Sequence, residues 1–187
     1  LNQHQIDDDK FKTFLLLILN ISNNHNRNQF FFTKIFLILR IYKSKIKQLY
    51  SNNDIFDLFK SNKQILLFLI QEQIIIFNES IACNLPRGER WICEYEDYFC
   101  PEVNKFNKDI DLPNDLNEFE EKRKIGENDA YICKLIRNDN ITDFIIFINQ
   151  NGIQLDLLIK STFLETNSFL LKNDPSLLEL YLQQNLL

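Results

Sequence analysis

Ser51-Asn52-Asn53-Asp54-Ile55-Phe56-Asp57-Leu58-Phe59-Lys60-Ser61-Asn62-Lys63-Gln64-Ile65-Leu66-Leu67-Phe68-Leu69-Ile70 is the stretch on which the fold turns. Residues 51 to 54 are N-cap formers, whose short polar side chains satisfy the free N–H groups of a first helical turn. Ile55, Leu58 and Phe59 follow at helical spacing, and Ser61-Asn62 breaks the pattern. A second helix, Lys63–Glu72, starts at once. The reading is a short helix, a tight turn and an antiparallel partner helix.

The same design returns about eighty residues later. Glu127-Asn128-Asp129 leads into Ile132, Leu135 and Ile136, Asn138-Asp139-Asn140 turns the chain, and Phe144, Phe147 and Ile148 are placed to face inward. Gly152 is placed to end the helix, because a helix terminus favours the left-handed conformation open to glycine. Ile55-Phe56-Asp57-Leu58-Phe59 aligns with Ile132-Cys133-Lys134-Leu135-Ile136, and the Leu66–Ile70 run aligns with Phe144–Ile148 with one residue gained in the turn. Asp54–Glu72 and Asp129–Gln150 are therefore two copies of one helix pair. A single short pair cannot bury its own apolar face, so neighbouring pairs are expected to stack on it as in a solenoid. The expected fold class is all-α: stacked helix pairs forming an ankyrin-like α-solenoid with an irregular proline-containing insertion.

Outside the pairs, Phe11–Leu49 shows two amphipathic stretches separated by the polar run Ser22–Gln29. Phe32, Ile35, Phe36, Leu39, Tyr42 and Ile46 share one helical face, with Lys34, Arg40, Lys45 and Lys47 on the remainder. Cys83–Asn117 differs: it holds Pro86, Pro101, Pro113, the only Trp and an excess of carboxylates, and reads as a long connection with short helices at most. Three segments follow: a helical region over 1–82 ending in a helix pair, an irregular acidic connection over 83–117, and ankyrin-like helical repeats over 118–187.

The 187 residues are 45% hydrophobic and include 17 Phe, enough apolar surface to offset the entropy of folding. Three isolated glycines, Gly88, Gly126 and Gly152, with four prolines, supply little of the turn chemistry of a many-stranded β fold. Nor can such isolated glycines build a phosphate-binding loop. Residues 1–80 carry ten basic and seven acidic side chains, whereas 81–187 carry eleven and nineteen. An acidic half is a poor counter-surface for phosphates, so nucleic acid is not an expected partner. Apolar runs such as Phe14–Leu19 are too short to span a bilayer, and a cytosolic location is expected.

Several segments carry a family resemblance. Asp54-Ile55-Phe56, Phe59-Lys60-Ser61-Asn62-Lys63 with Ile65–Leu69, Tyr98-Phe99-Cys100-Pro101-Glu102, and Phe119-Glu120-Glu121-Lys122-Arg123-Lys124-Ile125-Gly126-Glu127-Asn128-Asp129 resemble the uncharacterised N-terminal domain of the ankyrin-repeat family of trichomonad protists. Glu165–Lys172 and Pro175–Glu179 continue the likeness, which covers roughly residues 46 to 180. The resemblance implies a helical domain mediating protein contacts, with no catalytic residues to carry over. It places the start of an ankyrin array after Asn173, with Ser176 and Leu178 in the opening turn; Glu179 stands where ankyrin repeats carry His, and Tyr181-Leu182 where they carry a small pair.

The residues that could carry chemistry favour structural roles. Cys83, Cys93, Cys100 and Cys133 lack the close pairing of a zinc site, so free thiols are expected; a disulfide among the first three would require secretion. His4 and His25 lie in asparagine-rich surroundings with no nucleophile partner. Asp7-Asp8-Asp9 suits the start of the first helix, where negative charge meets the dipole. Glu118, Glu120 and Glu121 face Lys122, Arg123 and Lys124 at ion-pair spacing, a solvated helix surface. Tyr42, Lys43, Lys45, Lys47 and Tyr50 are the nearest thing to a basic-aromatic patch and read as a snorkelling edge. Arg87, Arg90 and Trp91 either anchor a partner or fold back so that Trp91 fills the core, and its large apolar area favours the second. No catalytic, cofactor-binding or metal-ligating residue and no cofactor is assigned. The expectation is a non-enzymatic ankyrin-type protein–protein interaction scaffold. The alternative is a structural subunit of a large cytoskeletal assembly, such as a flagellar microtubule-associated protein with tubulin as partner.

Overall fold

Helices form wherever the apolar spacing runs at three to four residues and a capping side chain stands at its start. The structure is a computed structural model that describes residues 7–24, 29–86, 94–126, 130–160, 162–166 and 174–185. Twelve helices are present among the described residues, with no strand and a single isolated bridge between Leu158 and Ser176. The chain divides into two compact units, residues 1–112 and 113–187.

The first unit holds α1 (Asp8–Asn24), α2 (Gln29–Ile41), α3 (Lys43–Leu49), α4 (Asn52–Phe59), α5 (Lys63–Gln71), α6 (Glu79–Cys83), α7 (Glu94–Tyr98) and α8 (Cys100–Val103). Phe11, Leu15 and Ile18 of α1, spaced by four and three, turn one stripe into the core. On α2 and α3 the expected face is the buried one: Phe32, Ile35, Leu39 and Ile46 are sealed, with Phe36 and Tyr42 packed at its edge. At the centre stands α5, in which all seven residues from Lys63 to Leu69 are buried. A helix apolar on every side can only sit inside, and each sealed Leu or Ile contributes roughly 1.5–3 kcal/mol.

Short helices α6 to α8 belong to this unit, and Tyr98, Phe99, Cys100 and Val103 lie in it fully buried. Pro101 sits in the first turn of α8, where its missing N–H has no partner to lose. The segment after Pro86 thus contributes aromatic core as well as connection.

The second unit holds α9 (Leu116–Ile125), α10 (Tyr131–Arg137), α11 (Ile141–Asn151) and α12 (Leu177–Asn185). Its core gathers Ile132, Cys133, Leu135 and Ile136 of α10 with Phe144, Leu177 and Leu180. Of the α11 residues expected to face inward, Phe144 is buried while Phe147 and Ile148 are only partly covered. Gly126 ends α9 in the left-handed conformation, and its carbonyl accepts both the N–H and the hydroxyl of Thr166, at 3.0 and 2.6 Å.

Candidate functional site

The two helix pairs agree in their turn chemistry. Ser51 and Asp54 form a reciprocal capping box at the start of α4. Asn62 then caps α5 by accepting the N–H of Ile65, and Asn140 caps α11 by accepting the N–H of Asp143. The residue gained in the second turn is accommodated by Asp139, whose φ of 50° is left-handed. Both second helices close in the same way: Ile74 N–H reaches back to Leu69 C=O over Gln73 at φ 55°, and Ile153 N–H to Ile148 C=O over Gly152 at φ 62°. The start of α10 differs from expectation: Ala130 stands at its N-cap without a side-chain bond, and Glu127, Asn128 and Asp129 lie outside the described residues.

Counting from the capping asparagines, Ile141, Ile145 and Ile146 of α11 occupy the positions of Lys63, Leu67 and Phe68 of α5. Their environments are opposite. In α5 these three are 1%, 3% and 8% exposed; in α11 they are 45%, 48% and 47% exposed. Phe36 of α2 stacks flat on Phe68 with ring centroids 4.2 Å apart. The Lys63 ammonium lies over the rings of Tyr95 and Tyr98 at 5.1 and 5.5 Å, where the ring faces replace part of its lost hydration. The matching face of α11 is a bare apolar stripe.

The C-terminal end of α5 is also gripped. Arg40 pairs with the Glu72 carboxylate at 2.5 Å, Lys43 donates to the Glu72 carbonyl, and Lys47 donates to the Gln73 carbonyl at 3.3 Å. These cations complement the negative end of the helix dipole. The Arg40 hydrogen bond holds Glu72 below the usual carboxylate range. With Lys45 paired to Asp8 at 3.1 Å and lying over Phe11, the basic residues of the Tyr42–Tyr50 stretch contact this unit's own helices.

Around α12 the second unit exposes more apolar surface. Leu155, Leu157, Leu158, Leu178 and Leu182 are between 44% and 59% exposed. A hollow of about 330 Å³ is lined by Gln154, Leu155, Asp156, Ser176 and Leu178. Ser176 and Glu179 form a capping pair: the Ser176 hydroxyl accepts the Glu179 N–H, and the Glu179 carboxylate accepts the Ser176 N–H at 2.8 Å. That backbone bond, followed by the Ser176 hydroxyl, lowers the pKa of Glu179. Glu179 therefore does capping work suited to a carboxylate.

The other candidates from sequence scatter. Cys83 is exposed and Cys100 and Cys133 are buried, none of the three in a disulfide; among the described residues no group of three His, Cys, Asp or Glu could hold a metal ion. Cys93, His4, His25, Arg87, Arg90 and Trp91 lie outside the described residues. Lys122 pairs with Glu118 at 2.9 Å and Lys124 with Glu121 at 2.7 Å, as spacing predicts. Arg123 departs from the solvated surface expected of it: it pairs with Glu120 at 2.6 Å and lies over Phe119 while only 1% exposed. No helix among the described residues is long and apolar enough to cross a membrane. Sequence reasoning missed the α11 stripe because an unbroken apolar run, Phe144 to Ile148, does not say which of its sides a neighbour will cover. No protein-family model, curated protein or solved structure matches the chain.

Proposed function

We propose that the chain is a non-enzymatic interaction module of the ankyrin type, cytoplasmic in location, whose helix pairs recognise another protein. The observation that carries this reading is the repeated pair whose second copy leaves Ile141, Ile145 and Ile146 about half exposed at positions that the first copy buries. Exposed apolar area on a packed helix is surface that a protein partner can cover. The leucines around α12 extend the apolar area available in the second unit. Likeness of the Phe119–Asp129 and Glu165–Lys172 segments to the domain preceding trichomonad ankyrin arrays supports the same reading.

Proximity labelling of the chain in its native cell, followed by cross-linking of the recovered complex, tests the proposal. A reversible protein partner cross-linked to the chain is the expected result. Recovery of no stable protein partner sinks it, and recovery only with polymerised cytoskeleton transfers the chain to the structural-subunit class.

A further inference from the structure

Asn151-Gly152 is the one place in the sequence where glycine follows asparagine; every other asparagine is followed by a residue with a side chain. The pair is chemically distinct, because glycine has no Cβ to obstruct its own backbone nitrogen when that nitrogen turns onto the preceding carboxamide. It stands at the end of α11, where Asn151 is the last helical residue and Gly152, at φ 62°, stops the helix in the left-handed conformation. Both residues are exposed, and nothing lies within 4 Å of where a Gly152 side chain would begin.

The attacking nitrogen is weakly held. Gly152 N–H is shared between the carbonyls of Ile148 and Asn149, with the nitrogen 3.4 Å from the Asn149 oxygen, a long hydrogen bond. Ile153 N–H, next along the chain, holds the Ile148 carbonyl at 2.9 Å. The Asn151 carboxamide donates from Nδ2 to the Phe147 carbonyl at 2.8 Å. Both contacts of the Asn151-Gly152 pair lie in the last turn of a helix, the part that opens most readily. Other carboxamides are committed differently: Asn62, Asn78 and Asn140 each accept the N–H of the residue three positions on, and Asn140 is followed by the β-branched Ile141.

We propose that Asn151 is a self-modification site at which the folded chain loses ammonia. The Gly152 nitrogen gives up its proton to solvent and bonds to Asn151 Cγ, the Cγ–Nδ2 bond breaks, and ammonia leaves as a five-membered succinimide closes. Water then opens the ring. Cleavage of the new Cγ–N bond gives aspartate, and cleavage of the original peptide C–N bond gives isoaspartate, in which the backbone runs through the former side chain. No electrons are transferred, and water is the sole co-reactant. Either product places a carboxylate at the negative end of the α11 dipole and deprives the Phe147 carbonyl of its donor. Isoaspartate also lengthens the backbone by one carbon just before Gly152 and so shifts Ile153 N–H away from the Ile148 carbonyl. The last turn of α11 therefore frays as the protein ages.

The test incubates the whole chain in mildly alkaline buffer made with heavy-oxygen water, so that each ring opening leaves one labelled oxygen. Trypsin then releases the segment from Asn138 to Lys160, in which Asn138, Asn140, Asn149 and Asn151 are compared within one peptide. Fragmentation in the mass spectrometer is expected to place the label at Asn151 ahead of the other three, and an isoaspartyl methyltransferase should methylate the product. Gly152→Ala should slow the labelling severalfold, and Asn151→Gln should abolish it at that position. Asn151→Asp, which carries the product's charge, should lower Tm by about 1–4 °C. Label at Asn151 in the urea-unfolded chain but not in the folded chain overturns the proposal, because the helix end then protects the pair. Earlier label at another asparagine of the peptide, or a rate indifferent to Gly152→Ala, overturns it as well. An unchanged Tm in Asn151→Asp overturns the fraying of α11.

Discussion

Phe36 lies on Phe68 with ring planes 7° from parallel and centroids 4.2 Å apart, pinning α2 to the central helix of the first unit. Arg40 reaches over the same Phe68 ring at 5.7 Å before pairing with Glu72, so one aromatic surface orders both an apolar and a charged contact. Phe68→Ala is expected to cost about 3 kcal/mol, and Phe36→Ala, at a less buried position, about 2 kcal/mol. A double-mutant cycle by urea unfolding should return a coupling of about 1 kcal/mol. Strictly additive losses would show that the rings are neighbours without being partners.

The two capping asparagines do unequal work. Asn62 is 2% exposed and, besides capping α5, donates to Asn23 Oδ1 at 3.0 Å and Ser22 Oγ at 3.4 Å, tying α1 to the turn. Asn140 caps α11 nearer the surface. Asn62→Ala should cost about 2 kcal/mol and Asn140→Ala about 1 kcal/mol, because only the first strands buried polar groups. Equal losses in chemical denaturation would contradict this ranking.

Backbone strain separates the two helix ends. Gly152 sits at φ 62° in open space, so Gly152→Ala meets no side chain and its cost, about 1 kcal/mol, comes from the left-handed backbone alone. Gln73 holds φ 55° with a full side chain, and Gln73→Gly should shift stability the other way by less than about 1 kcal/mol. Thermal unfolding of both variants checks the signs.

Acid should weaken the fold in a specific window. Ser51 lowers the pKa of Asp54, Arg40 that of Glu72 and Ser176 that of Glu179. A carboxyl lowered in the folded state contributes stability that is complete above its unfolded value, about 3.9 for Asp and 4.3 for Glu. The contribution disappears as pH falls through the lowered folded values. Stability measured between pH 6 and 2, a range of about four units chosen to bracket these values, should decline on the acid side. Glu72→Gln should make that decline shallower, and an unchanged slope would show that the Arg40 pair contributes nothing, as exposed pairs can.

The contrast between the two pairs predicts opposite tolerance at matched positions. Leu67→Gln places an amide in the sealed core and should cost about 3 kcal/mol. Ile145→Gln, on the exposed face, should stay within about 0.5 kcal/mol. Similar losses at both sites, measured by unfolding, would mean that the α11 face is covered in solution.

Local chemistry was sufficient to read the helices, because the signals that make them are carried within a few residues. The Ser51–Asp54 cap, the Asn62 and Asn140 turns, the Gly152 stop and the buried stripe Phe32–Ile35–Leu39–Ile46 were all legible in the sequence. So was the repeated pair, down to the extra turn residue that Asp139 now accommodates. What no local pattern could tell was which sides of a uniformly apolar helix would be covered. Phe68 is sealed beneath Phe36 and Lys63 beneath Tyr95 and Tyr98, which arrive from distant stretches of chain, and Arg123 is buried over Phe119 although its spacing alone suits a solvated ion pair. Burial depends on contacts between residues far apart in sequence, so tertiary structure alone decided that α5 is a core helix and that α11, its repeat, offers an open face.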